Sequence, residues 1–256
     1  MSKKKEIELP NLSGRRTRID VPEDYIKLVF LSDTHFGSKY CAQDKINLAI
    51  DEINRYKPDA IFFGGDIVDG NHVYQGHEFE LEDLSLPEQL ESAQIMDRIK
   101  GKVYAIEGNH DLSWVKKGAG YPVKMFCEDK SNWDYAGAYY GGYKLVTPSG
   151  QDLTIDIMHP NGGGAYAISY AAQKVMRNLP HTTDVLALGH FHQTGYFQIP
   201  DNGRYTHAMM VPSFQAPTPY AQRMGHIFSY IGYVSVELKL VQNKIKDFVF
   251  KLNEML

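Results

Sequence analysis

The chain has 256 residues, 43% of them hydrophobic and 23% charged, with a formal net charge of -4. That composition excludes a disordered or low-complexity chain, and so mild an acidity gives no field that would draw nucleic acid by charge alone. Two cysteines, Cys41 and Cys127, are too few for a disulfide framework. No apolar run reaches the roughly 18 residues of a bilayer span, and the basic N-terminus lacks the apolar segment of a secretory leader. The expectation is a soluble, cytoplasmic protein without a membrane partner.

The first twenty residues carry Lys3, Lys4, Lys5, Arg15, Arg16 and Arg18 against Glu6, Glu8 and Asp20. Residues 1–24 therefore read as a basic tail or a strand extension, and 25–256 as one domain. Tyr25 to Leu31 reads as a buried strand. Ala42 to Tyr56 places Ile46, Ala49, Ile50 and Ile53 at helical spacing, and Lys57-Pro58 stops it. Ala60 to Gly64 is a second strand, Gln89 to Ile99 a helix, and Lys102 to Ile106 a third strand. This βαβαβ rhythm predicts a parallel sheet with helices on its faces and functional loops at the carboxyl ends of the strands.

The second half changes character. Tyr139 to Val146 and Leu153 to Met158 flank a turn at Pro148-Ser149-Gly150, Ala165 to Arg177 reads as a helix leaving a glycine-rich loop, and Val185 to Leu188 is a short strand. Tyr205 to Val211, Phe228 to Leu240 and Ile245 to Leu252 read as strands, with a turn at Gln242-Asn243. Two packed sheets with outer helices are expected.

Five short motifs follow apolar runs in order: Asp33-Thr34-His35, Gly65-Asp66-Ile67-Val68-Asp69-Gly70, Gly108-Asn109-His110-Asp111, Met158-His159 and Gly189-His190-Phe191-His192. One intervening residue at a strand end lets Asp33 and His35 point the same way. Asp66 offers a carboxylate able to bridge two cations, Asn109 an amide oxygen, and His159, His190 and His192 imidazoles. This set of oxygen and nitrogen donors without thiolate suits manganese, iron, zinc or nickel better than calcium. Two cations roughly 3.5–4 Å apart would hold a hydroxide and clamp a phosphoryl group for in-line attack. Each ligand alone has a structural alternative, a hydrogen-bonded core histidine or a turn aspartate.

The set resembles the calcineurin-like metallophosphoesterase superfamily, whose pattern is D-x-H, G-D-x-x-D, G-N-H-[DE], H and G-H-x-H. The resemblance implies a four-layer α/β/β/α sandwich of two mixed sheets with outer helices. It also implies two divalent ions, Mn2+ foremost with Fe, Zn, Ni or Mg as alternatives. One ion would be held by Asp33, His35, Asp66 and His192, the other by Asp66, Asn109, His159 and His190. By the same resemblance His110 protonates the leaving oxygen and Asp69 orients it by a hydrogen bond, although Asp69 could instead cap the following turn.

Where protein Ser/Thr phosphatases carry arginines, this chain has Gly70 and Glu107, so a phosphoprotein substrate is not expected. His110 itself departs from the lipid A pathway pyrophosphatases, which have arginine there. The expected activity is hydrolysis of a phosphodiester in a nucleotide or nucleic acid, the latter as a nuclease; the alternatives are a phosphomonoesterase acting on a small metabolite, or a scaffold that binds proteins. A dimer is compatible with exposed sheet edges. The 71–87 segment, with His72, Tyr74, His77 and Phe79 followed by Glu78, Glu80, Glu82 and Asp83, reads either as a substrate-facing loop or as a solvated one. The glycine-rich 159–164 loop could hold an anion, and Val211 to Phe214 is expected to line the site. His181, His207 and His226 carry no motif.

Overall fold

The computed structural model describes residues 16–162, 167–201, 203–226 and 228–255. Lys3, Lys4, Lys5 and Arg15 of the basic tail, and Gly163, Gly164 and Tyr166 of the glycine-rich stretch, lie outside the described residues. In chain order the elements begin with strand β1 (Thr17–Asp20), β2 (Tyr25–Leu31), helix α1 (Gln43–Tyr56), β3 (Ala60–Phe63), α2 (Leu86–Ala93) and β4 (Val103–Glu107). They continue with α3 (Asp111–Lys116), α4 (Pro122–Glu128), β5 (Trp133–Ala138), β6 (Tyr140–Val146), β7 (Asp152–Met158), α5 (Ser169–Asn178) and β8 (Val185–Leu188). The last are β9 (Gly195–Asp201), β10 (Arg204–Met210), α6 (Pro219–Arg223), β11 (Gly232–Val241) and β12 (Lys244–Glu254).

Side chains alternate across a strand, and in β2 both faces are apolar. Leu28 and Phe30 point one way, Val29 and Leu31 the other, and all are buried, so the strand needs cover on both sides. It lies inside a six-stranded mixed sheet ordered β12-β11-β2-β3-β4-β5, in which β2 to β5 pair in parallel and β11 runs antiparallel to both β2 and β12. The second six-stranded sheet is ordered β1-β6-β7-β8-β10-β9. Leu28, Phe30, Phe62 and Ile106 of the first sheet meet Tyr143, Ile155, Ile157 and Ala187 of the second in one inner core. Val29, Leu31, Ile61 and Phe63 face outward onto Ile46, Ile50 and Ile53 of α1 and onto α2 and α4. Leu186, Leu188 and Ala208 face outward onto Ala172 of α5. The result is the four-layer α/β/β/α sandwich.

Several boundaries differ from the sequence expectation. The helix expected over 89–99 starts earlier, because Ser85 and Glu88 form a reciprocal capping box, and it tightens into a 3-10 turn over Gln94–Arg98. The strand expected from Phe228 begins only at Gly232, and Phe228 and Tyr230 stay outside the sheet, exposed. Helix α5 starts at Ser169, not directly on the glycine-rich loop. Strands β5 and β9 and helices α3 and α4 had no clear periodic signal. Within the basic segment, β1 pairs in parallel with β6, and Arg16 reaches the buried Asp156 at 3.0 Å.

No described helix is long and apolar enough to cross a membrane.

Candidate metal centre and its cleft

Each motif begins where a parallel strand ends: Asp33 after β2, Asp66 after β3, Asn109 and His110 after β4, His159 after β7, His190 and His192 after β8. The first three come from one sheet and the last two from the other, so the centre sits where the carboxyl edges of both sheets meet. Asp33, His35, Asp66, His190 and His192 all have positive φ, between 50° and 80°. That conformation is uncommon for residues with a side chain, and it is held here by tertiary bonds. Asp33 N–H donates to Gly65 O at 2.9 Å, His35 N–H to Asp66 O at 3.1 Å, and Phe214 N–H to Asp33 O at 3.0 Å. Gly65 and Gly108 let two loops touch: a Cβ on Gly65 would lie 2.7 Å from Gly108 N, and one on Gly108 2.1 Å from Asp66 Oδ1.

Two donor groups converge. In the first, His192 Nε2 lies 3.3 Å from Asp33 Oδ1 and 3.0 Å from His35 Nε2. In the second, His159 Nε2 lies 3.0 Å from Asp66 Oδ2 and 3.0 Å from Asn109 Oδ1, with His190 alongside. Asp66 stands between them, its Oδ2 also 3.9 Å from His35 Nε2.

The tautomers are set from behind. His35 donates Nδ1–H to Asp69 Oδ1 at 2.8 Å, His159 donates Nδ1–H to Gly64 O at 2.7 Å, and His190 donates Nε2–H to Gly162 O at 2.8 Å. Each ring thereby keeps its other nitrogen as a lone-pair donor, the arrangement typical of metal-ligating histidines.

Charge points the same way. Asp33, Asp66 and Asp69 are at most 1% exposed, and their ionic partners are histidines, without lysine or arginine among the described residues. Buried carboxylates need compensation. Burial opposes charge on His35, yet Asp33 and Asp69 push its pKa up to about 10. Burial likewise opposes charge on His159, and Asp66 raises it to about 9. Burial, reinforced by His159, lowers His190 to about 4. This surplus of negative potential around converging oxygen and nitrogen donors fits divalent cations.

His110 sits at the cleft. Its ring nitrogen Nδ1 lies 2.6 Å from the backbone carbonyl of Asp69 and 3.4 Å from the Asp69 carboxylate. The orienting bond expected from the carboxylate is thus made by the same residue's carbonyl. The carboxylate is already occupied by His35, by His77 at 3.2 Å and by Gln215 at 3.1 Å. Burial opposes its charge, but His110, His35 and His77 hold Asp69 well below the usual carboxylate range.

Several supporting groups had no assigned role in the sequence reading. Asp111 accepts three backbone N–H bonds, from Asp66 and Gly108 at 2.8 Å and Val68 at 3.1 Å, tying two motifs together. Gln89 holds Gly70 through both its N–H and its carbonyl at 3.0 and 2.9 Å. Glu107, buried where phosphatases carry arginine, accepts from Val123 and Lys124 at the start of α4. His77 could have been suspected from its place in the 71–87 segment; Gln89 and Gln215 carry no local signal. Glu80 of the acidic run is buried, not solvated. In the 211–214 stretch, Ser213 and Phe214 are buried behind Asp33, and the residues after them, Gln215 to Thr218, line the cleft.

The model of the calcineurin-like phosphoesterase family matches residues 26–194, and the chain belongs to that family. A curated relative, the DNA polymerase II small subunit of Methanocaldococcus jannaschii, is 27% identical over 252 residues, covering 79% of this chain and 41% of the relative. The chain thus spans about two fifths of that protein's length. Among solved structures, Vps29 from Entamoeba histolytica complexed with zinc shares 13% identity over 89% of this chain and 99% of that one, with a TM-score of 0.47. An uncharacterized Streptococcus pneumoniae protein, described as a predicted phosphoesterase, shares 14% identity over 90% of this chain and 98% of that one, with a TM-score of 0.41.

Proposed function

We propose that the protein is a dinuclear metal-dependent phosphodiesterase acting on a nucleotide or the end of a nucleic acid. The observation that carries this reading is the cleft beside the donor cluster. It is lined by Asp66, Asn109, His110, His190 and His192 together with Tyr74, Tyr220 and Phe228, with no lysine or arginine among its described lining residues. A monoester dianion would ask for more positive charge than a diester monoanion, so a cleft without cationic side chains favours the diester. The relative that serves a DNA polymerase supports a nucleic acid setting.

In this reading Asp33, His35, Asp66 and His192 would hold one divalent ion, and Asp66, Asn109, His159 and His190 the other. Manganese is our first choice for an all-oxygen-and-nitrogen set. Bound ions supply Lewis acidity, lowering the pKa of water and neutralising phosphoryl charge. The chain supplies the rest. His110 keeps its Nδ1 proton on the Asp69 carbonyl, so its Nε2 is the atom that gives a proton to the leaving oxygen. The Asp69 carboxylate lies 3.4 Å from the same nitrogen. Asp111 and Gln89 hold the loops carrying Asp66 and Asp69 in register.

The test is turnover of bis-p-nitrophenyl phosphate against p-nitrophenyl phosphate by manganese-loaded protein. Diester turnover is expected to dominate; a clear monoester preference would move the assignment to a phosphomonoesterase.

A further inference from the structure

The wall facing the histidines belongs to none of the five motifs. It is assembled from two loops distant in sequence, the 71–87 segment and residues 217–226 with 228–230. The rings of Tyr74 and Tyr220 stack with centroids 4.0 Å apart and planes 17° from parallel. Glu80, 6% exposed, fastens both loops: one carboxylate oxygen accepts from Tyr74 OH at 2.5 Å, the other from Tyr220 N–H at 2.9 Å. Thr218 caps the short helix α6 by accepting from Ala221 N–H at 3.2 Å. The wall is therefore held in place independently of any ligand, which lowers the ordering cost of binding.

On this base the loop projects apolar surface into water. Met224 is 59% and Phe228 66% exposed, both lining the cleft. Tyr74 lies on the His110 side, their ring centroids 6.3 Å apart. The polar groups of Gln193, His226 and Ser229 are interspersed. The cleft encloses about 410 Å3, within the ~300–1,000 Å3 usual for small-molecule sites. An aromatic wall suits a flat ring, Arg223 lies over the Tyr220 ring with its guanidinium carbon 5.6 Å from the centroid, and the interspersed polar groups suit a ring with hydrogen-bonding edges.

We propose that the wall built on Tyr74 and Tyr220, with Met224 and Phe228 at its rim, is a subsite for the nucleobase of the leaving nucleoside. The assignment rests on the phosphodiesterase reading above, with His110 as the acid. It makes the enzyme selective for the group expelled, while the donor cluster handles the phosphate.

A thymidine dinucleotide and the methyl ester of thymidine monophosphate separate the two ideas. Both are diesters; the dinucleotide expels thymidine, and for the methyl ester only the turnover that expels methanol and leaves thymidine monophosphate is counted, so that only the dinucleotide's leaving alcohol bears a base. Wild-type protein is expected to favour the dinucleotide by about tenfold in kcat/KM. Phe228→Ala, at an exposed position where folding is not at stake, and Tyr220→Ala should each shrink that ratio by about fivefold, mainly through KM. A second readout needs no metal: saturation-transfer NMR of free thymidine should show stronger transfer to base protons than to sugar protons, and Phe228→Ala should weaken it. Equal cleavage of the two esters, or an unchanged ratio in both variants, would overturn the subsite and leave the phosphodiesterase reading standing. Cleavage of neither would overturn both.

Discussion

Replacing Asp111 by asparagine tests whether buried hydrogen bonding or carboxylate repulsion governs the centre. The side chain is fully buried, and one oxygen, Oδ2, accepts from Asp66 N–H and Gly108 N–H while Oδ1 accepts from Val68 N–H. Asparagine keeps the shape but offers an acceptor on one side only. If its oxygen keeps Asp66 and Gly108, the new NH2 group faces the Val68 N–H, donor against donor. Losing a hydrogen bond to a charged acceptor costs about 1.5–3 kcal/mol, and neutralising the acceptor weakens the other two by about 1 kcal/mol each. Against this, burial and the neighbouring Asp66 push the Asp111 carboxyl up to about 7, so asparagine also relieves some repulsion. The three donors outnumber that single repulsive neighbour, and the expected net loss is about 3 kcal/mol, or roughly 10 °C in Tm for a chain of this size. Because the bonds that hold Asp66 and Gly108 are weakened and the Val68 bond beside Asp66 is lost, metal affinity should fall about 10- to 100-fold. Thermal unfolding of metal-loaded protein and a metal-binding titration measure the two effects. A Tm within about 2 °C of wild type, with unchanged metal affinity, would show that the three bonds do not position the motifs.

Other perturbations separate metal binding, proton transfer and scaffold. His110→Ala should keep the metal content of wild type and slow hydrolysis by about two to four orders of magnitude; loss of metal would place the residue among the ligands instead. Asp66→Ala should lose bound metal by mass spectrometry, since its carboxylate faces both donor groups. Asp156 is buried between Arg16, Tyr140 and His181, at 3.0, 2.9 and 3.0 Å. Asp156→Ala strands those partners, so denaturant unfolding should show a loss of about 3–5 kcal/mol; a loss below about 1 kcal/mol would mean that solvent replaces the carboxylate. His207, stacked on Phe248 at 4.0 Å, has its pKa lowered by burial. Its folded pKa lies below the unfolded value near 6.5, so protonation favours the unfolded chain and stability should fall as pH drops below about 6.5. His207→Gln should flatten that part of the pH–stability curve, and an unaltered curve would assign the slope to other groups.

Much of this molecule is written locally. Strands β2, β3 and β8 are short apolar runs that end at metal-ligating residue types, and α1 has a clean helical period, so their existence and order follow from side-chain alternation and spacing. The donor residues from Asp33 to His192 are legible because each lies within a few residues of a strand end. Elements whose identity depends on what lies opposite them were not legible. Strand β5 is an edge strand without an apolar alternation, and β9 is partly exposed throughout and contains Pro200. The start of β11 depends on where its partners end, and Phe228 therefore falls in a loop rather than the sheet.

Sequence by itself determined the donor types, their order and the layered class of the fold, because those reside in periodicity and in residues adjacent along the chain. Only the tertiary structure decided which atoms face one another. It gave the orienting contact of His110 to the Asp69 carbonyl, surrounded the Asp69 carboxylate with His35, His77 and Gln215, and used Glu80 to join Tyr74 to Tyr220. Those contacts join residues up to 146 positions apart. Chain periodicity carries no information about such pairs until the sheets have packed and brought their strand ends to one edge.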